Sequence, residues 1–168
     1  MKISIITISY NAEKEIERTM RSVLNQTFQD LEYIVVDGKS SDGTVNIARS
    51  IAREYPNRNI HIISEPDKGI YDAMNKGIRI ASGEWLNMMN AGDIFADNDV
   101  LQNVFKKTIS DNISFIYSDL YKMTSFGRCF KVDMVCSEHL RQVVHQCIIY
   151  RKKLHEQYGY YAVTPKII

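Results

Sequence analysis

From residue 3 to residue 93 short apolar runs alternate with stretches of helical periodicity, and few architectures accept such a pattern. Residues 3–8 (I-S-I-I-T-I), 31–36, 60–63 and the run Trp85, Leu86, Met88 and Met89 read as strands. The first is a β-branched run that suits a central strand, and the last is the kind of apolar run that suits a strand buried on both faces. Between them lie three amphipathic stretches. The first begins at about Glu13 and carries Ile16, Met20, Val23 and Leu24. The second carries Val45, Ala48, Ile51, Ala52 and Tyr55 before Pro56. The third carries Ile70, Ala73, Met74, Gly77, Ile78 and Ala81. The order β-α-β-α-β-α-β predicts a mainly parallel sheet with right-handed crossovers and helices on both faces.

After Asp93 the pattern changes. Residues 98–109 read as one more helix. Residues 113–123 and 128–135 read as strands joined around Ser125-Phe126-Gly127. Residues 145–150 read as a short strand and 151–158 as a short helix. The additions in this half are expected to be antiparallel. A soft boundary near residue 97 divides residues 1–97 from residues 98–168 within one structural domain, which the length of 168 residues suits.

Bulk charge narrows the function classes. A net charge of +1 gives no broad field for nucleic acid or an anionic membrane. No apolar run approaches the roughly 20 residues that cross a bilayer, and the first ten residues lack a cleavage-site pattern. Cys129, Cys136 and Cys147 form no C-x-x-C pair and read as reduced thiols. His61, His139, His145 and His155 are too scattered for a zinc site. The expected location is cytoplasmic, at most peripheral on the inner face of the membrane.

Three predicted strands end in polar turns: Tyr10-Asn11, Asp37-Gly38 and Asn90-Ala91-Gly92-Asp93. If those strands are neighbours, the turns meet at the carboxyl edge of the sheet, where open α/β folds bind ligands. Gly38 lets a ligand approach the backbone, and Asp37 is placed either to accept a hydrogen bond from a base or ribose or to anchor its own turn. Asp93 is the candidate metal ligand. There is no G-x-G-x-x-G and no G-x-x-x-x-G-K-[ST], so a diphosphate needs its positive charge from elsewhere. A metal on Asp93, Lys68 and the N-terminus of the third helix can supply it. Carboxylate and phosphate oxygens suit Mg2+ or Mn2+.

The segments S-I-I-T-I-S-Y-N-A (from Ser4), S-V-L-N-Q-T-F (from Ser22), Y-I-V-V-D-G-K-S-S-D-G-T (from Tyr33), E-P-D-K-G-I-Y-D-A-M-N-K-G-I (from Glu65) and G-E-W-L-N-M-M-N-A-G-D (from Gly83) resemble family-2 glycosyltransferases of the GT-A fold. The bacterial branch that builds surface and capsular polysaccharides is the most similar. The resemblance implies an inverting, metal-assisted transfer of a sugar from a UDP- or GDP-sugar to a glycan or lipid-linked acceptor. It places Ile8, Tyr10 and Asn11 against the nucleotide and Asp37 and Gly38 at the base. Asp67 and Lys68 fall near the ribose or diphosphate, and Asp93 on the metal.

Three departures accompany the resemblance. A second aspartate is common in the family where Gly38 stands here. The D-x-D motif falls on Asn90-Ala91-Gly92, which leaves Asp93 as the acid. The catalytic base of the family lies in an acidic motif that would begin near Ile168, so the expectation is a truncated chain lacking it, with an exposed apolar patch near its end that a homodimer would cover. Asp119 and Glu138 are the substitute acids to check. Two other classes compete: a signalling module with Asp37 as phosphoacceptor, and a nucleotidyltransferase, which would need a glycine-rich basic loop after the first strand.

Overall fold

Residues 2–124, 128–132 and 144–163 are described by a computed structural model of the chain. Strands β1 (Ile3–Ser9), β2 (Leu31–Asp37), β3 (Asn59–Ser64) and β4 (Trp85–Asn90) form where the apolar runs predict them. Helices α1 (Ile16–Leu24), α2 (Thr44–Glu54) and α3 (Ile70–Ile80) connect them. The later elements are α4 (Val100–Val104), β5 (Phe115–Tyr117), β6 (Leu120–Met123), β7 (Cys129–Val132), a 3-10 turn His145–Cys147, β8 (Ile148–Arg151) and α5 (Lys153–Tyr158).

One six-stranded sheet runs in the order β3-β2-β1-β4-β8-β5. The first four strands are parallel, and β8 enters antiparallel to both β4 and β5. The strand period of two sends alternate residues to opposite faces, which gives two cores. On one face Ile3, Ile5, Tyr33, Val35, Trp85 and Met89 pack under α1, α2 and α4. On the other Ile6, Ile34, Val36, Leu86 and Met88 pack under α3, and Tyr150 of β8 joins them. Gly77 permits the close seat of α3, since a Cβ there would collide with the Ile6 side chain and meet Val36 Cγ2 at 3.3 Å.

Several sequence readings need correction. The first helix starts at Ile16 rather than Glu13, because Ala12 C=O first closes a turn with the Glu15 N–H. The helix read over 98–109 spans only Val100–Val104. Phe105 turns inward against Phe28 and Trp85, and the chain leaves helical geometry to carry Ile109 to the same core. The single strand read over 113–123 is divided. Ser118 N–H still donates to Cys147 C=O, after which the chain leaves the main sheet and β6 pairs with β7 in a separate hairpin. The strand read over 145–150 is a 3-10 turn followed by β8. Ser125-Phe126-Gly127, the end of the 128–135 strand, Cys136, Glu138, His139 and Ile168 lie outside the described residues.

Residues 98–168 are therefore stitched, through β5 and β8, into the sheet of the first half. Arg151 is buried at that seam, 4.2 Å above the Trp85 ring, and its guanidinium pairs with Glu84 and donates to Ile113 C=O. Asn75 of α3 clamps the chain after α5, giving its amide to Tyr161 C=O at 2.9 Å and accepting from Tyr161 N–H at 3.0 Å.

Candidate functional site

Because β2, β1 and β4 are neighbours, their carboxyl ends bring the three polar turns together as the order of elements predicts. A cleft of about 960 Å³ opens there on the α3 side of the sheet. Ile8, Tyr10, Gly38, Asp67, Lys68 and Asn90 line it. Among the described residues only Asn11 (φ +48°) and Lys39 (φ +63°) are non-glycines at positive φ, and they stand in the loops after β1 and β2. Such backbone gathers where a surrounding network over-determines it. Here Asn11 Oδ1 accepts from Ser41 N–H at 2.9 Å, and Asn11 N–H donates to Ser40 Oγ at 2.8 Å, so the two loops hold each other.

The predicted residues separate into lining and support. Ile8, Tyr10, Gly38, Asp67 and Lys68 face the cleft. Asn11 ties the loops together. Asp37 is buried beneath them, and its carboxylate accepts from Ser9 Oγ, Ser40 Oγ, Ser40 N–H and Ser64 Oγ. That network crosses β1, β2 and β3 and fixes the strand ends. A carboxylate so covered cannot meet a phosphoryl donor, which removes the physical basis of the signalling reading.

Positive charge comes from Lys39 and Lys68 on the cleft wall and from the N-terminus of α3, where Lys68, Gly69 and Ile70 all line the space. Lys39 escaped the sequence reading. The available signal was its place directly after the glycine at a strand end. The loop carrying Lys68 is braced, with Lys76 Nζ donating to Pro66 C=O at 2.6 Å and pairing with Glu65 at 3.0 Å. Asp67 Oδ1 accepts from Gly69 N–H at 2.8 Å and Asp72 accepts from Lys68 N–H at 3.0 Å.

Asn90, at the end of β4, lines the cleft, whereas Asp93 does not line it but folds back over the strand end behind Asn90: Asn90 N–H donates to its Oδ2 at 3.1 Å, and Asp93 N–H donates to Asn90 C=O at 3.0 Å. Asn90 Nδ2 lies 3.1 Å from His145 Nε2, while Asn90 Oδ1 is buried with no partner among the described residues. His145 was not singled out for this site, because nothing in the sequence joins the turn before β8 to the end of β4. Burial pushes the His145 imidazole below its ordinary pKa, with the Asp93 charge opposing, so the ring is neutral at pH 7. Burial first, then Asp93 and Asp119, pushes the Cys147 thiol up, which leaves it a poor nucleophile. Asp119, next to Ser118 whose N–H donates to Cys147 C=O, pairs with Lys131 Nζ at 2.7 Å. Among the described residues no three His, Cys, Asp or Glu side chains gather as a complete metal cage. Asp93 and the orphaned Asn90 oxygen are hard donors that fit a cation whose remaining ligands come from a diphosphate.

A family model described as glycosyl transferase family 2 matches residues 4–159. The PGL/p-HBAD biosynthesis glycosyltransferase of Mycobacterium bovis is 32% identical over 169 residues, covering 98% of this chain and 65% of that protein. The uncharacterized glycosyltransferase EpsJ of Bacillus subtilis is 30% identical over 130 residues, covering 76% of this chain and 36% of that protein. The chain thus spans at most 65% of these two curated relatives. Among solved structures, mannosyltransferase PcManGT from Pyrobaculum calidifontis, in complex with GDP-Man and Mn2+, superposes with a TM-score of 0.77 at 22% identity, covering 96% of this chain and 48% of that one. S. aureus TarS 1-349 in complex with UDP-GlcNAc gives a TM-score of 0.69 at 19% identity, covering 96% and 49%. These likenesses establish the GT-A fold.

Proposed function

The chain belongs to glycosyl transferase family 2, and on that premise we propose that its cleft holds the nucleoside diphosphate of a sugar donor. The whole protein would pass the sugar to a glycan or lipid-linked acceptor with inversion, in the synthesis of a cell-surface polysaccharide. One observation carries this reading. The cleft at the carboxyl edge is lined by an exposed aromatic, two lysines, a helix N-terminus and Asn90, whose backbone N–H is held by the Asp93 carboxylate.

The chemistry follows from that arrangement. A base stacks on the Tyr10 ring, which is 66% exposed at the cleft. The diphosphate then lies toward Lys39, Lys68 and the amino end of α3. Asp93 and Asn90 Oδ1 would hold Mg2+ or Mn2+. When bound, such a cation neutralises the charge that grows on the departing diphosphate. Relatives named for their GDP-Man, UDP-GlcNAc and Mn2+ complexes support the donor class and the metal.

Calorimetric titration of UDP and GDP, with and without Mn2+, tests the reading. Binding that strengthens at least about tenfold with Mn2+ and loses that gain in Asp93→Ala is expected. Metal-dependent binding that survives in Asp93→Ala removes the metal role of Asp93. No binding of either nucleotide under any condition removes the function.

A further inference from the structure

Asp93 stands behind Asn90 rather than in the cleft wall, so its reach depends on the turn that carries it. That turn is gripped from outside the cleft. Gly92 N–H donates to Thr19 Oγ1 at 2.8 Å, and Gly92 C=O accepts from Arg18 Nη2 at 3.1 Å. Gly92 lies at φ +107°, and a glycine is permissive there and elsewhere, so the turn needs an external hold.

The hold continues along α1. Ser22 Oγ accepts from Phe95 N–H at 3.4 Å. Gln26 Nε2 donates to Asp97 C=O at 2.7 Å, and its Oε1 accepts from Leu101 N–H at 3.1 Å. Residues 19, 22 and 26 share one face of the helix, because steps of three and four stack side chains. Thr19 is 0% and Gln26 1% exposed. Positions so deeply buried ordinarily carry aliphatic side chains. Here each polar atom meets a backbone group of the segment 92–101 instead. None of the three lines the cleft. The segment S-V-L-N-Q-T-F, which carries Ser22 and Gln26, thus has a task that the cleft itself does not absorb.

We infer that Thr19 is a positioning residue for Asp93. Acting with Arg18 through Gly92, it sets where the carboxylate stands relative to Asn90, and hence how well that pair receives a divalent cation. This role rests on the metal reading above and deepens it. Thr19 and Arg18 hold the two peptide planes on either side of Gly92, and the second plane contains the Asp93 nitrogen. Groups that hold a metal ligand from behind fix its orientation, and their loss typically lowers metal affinity about 10- to 100-fold. Gln26 grips the segment past the turn, at Asp97 and Leu101, so it anchors the chain without aiming the carboxylate.

Thr19→Val keeps the side-chain shape and removes the acceptor, whereas Thr19→Ser keeps the acceptor. Mn2+ is titrated by calorimetry into wild type, both variants and Gln26→Ala at a fixed concentration of UDP or GDP. Unfolding midpoints and nucleotide affinity without metal are measured alongside. Thr19→Val should need at least about tenfold more Mn2+ to reach half of the gain in nucleotide affinity, with its metal-free affinity unchanged. Thr19→Ser should recover the wild-type response. Gln26→Ala should lower the unfolding midpoint at least as much as Thr19→Val, yet keep the wild-type Mn2+ response. A wild-type response in Thr19→Val, no recovery in Thr19→Ser, or an equal loss of response in Gln26→Ala overturns the inference and leaves the metal role of Asp93 standing. Wild type that binds neither nucleotide, or gains nothing from Mn2+, overturns the underlying reading and this one with it.

Discussion

Replacing Glu32 tests how the sheet is held at the end opposite the cleft. Glu32 sits on β2 almost wholly buried, with 2% of its surface exposed. Its Oε2 accepts from Ser4 Oγ and, at 2.8 Å, from Ser82 N–H; its Oε1 accepts from Ser82 Oγ at 2.9 Å. The carboxylate thereby ties β1, β2 and the turn between α3 and β4. In Glu32→Ala the fully buried Ser4 hydroxyl loses its acceptor, while water can replace the bonds to the exposed Ser82. One stranded hydroxyl and one lost charge-assisted bond cost about 3 kcal/mol. For a domain of this size that lowers Tm by about 6–12 °C. Glu32→Gln is different. Its carbonyl can keep Ser4 and the Ser82 N–H, and its amide can donate to Ser82 Oγ, so the loss is about 1 kcal/mol.

Acid adds a second readout. Burial alone would raise the Glu32 pKa, but the hydrogen bonds from Ser4 and Ser82 outweigh it and hold the group below its ordinary value of 4.5. A folded-state pKa below the unfolded one stabilises the fold fully above that ordinary value. The contribution is lost as pH falls through the folded value. Urea unfolding of wild type, Glu32→Ala and Glu32→Gln should be followed at pH 7 and in steps from about pH 5 to about pH 3. Wild type should lose more stability across the acid steps than either variant. An alanine variant within about 1 kcal/mol of wild type, or one no worse than the glutamine variant, would refute the accounting.

Two further substitutions probe the packing that shapes the cleft. Gly77→Ala gains about 1 kcal/mol of helix propensity but presses a methyl onto Ile6 and Val36, so a net loss of about 1 kcal/mol is expected in chemical denaturation; a net gain would show that α3 can lift away freely. Asn75→Ala removes both bonds to the Tyr161 backbone and should cost about 2 kcal/mol. Proteolytic nicking should then appear first around residues 159–163, whereas cleavage elsewhere first would deny Asn75 its clamping role.

The amino-acid sequence by itself settled the elements and their kind from β1 to β4. Apolar runs of strand length and helical spacing are local properties, and burial on both faces leaves β1, β2 and β4 no competing assignment, while β3 takes the exposed edge. It also settled which turns reach the carboxyl edge, since in a parallel α/β alternation every strand ends on the same side. Tertiary structure alone decided the rest. That β8 enters between β4 and β5, bringing His145 beside Asn90, depends on pairing between segments some sixty residues apart, which no local pattern records. The roles of two aspartates were likewise undecided by spacing. Asp37 lies under three serines and supports, while Asp67, thirty positions later, leans into the gap left by Gly38. A carboxylate's function is set by what surrounds its oxygens, and those neighbours are assembled only when distant strand ends meet.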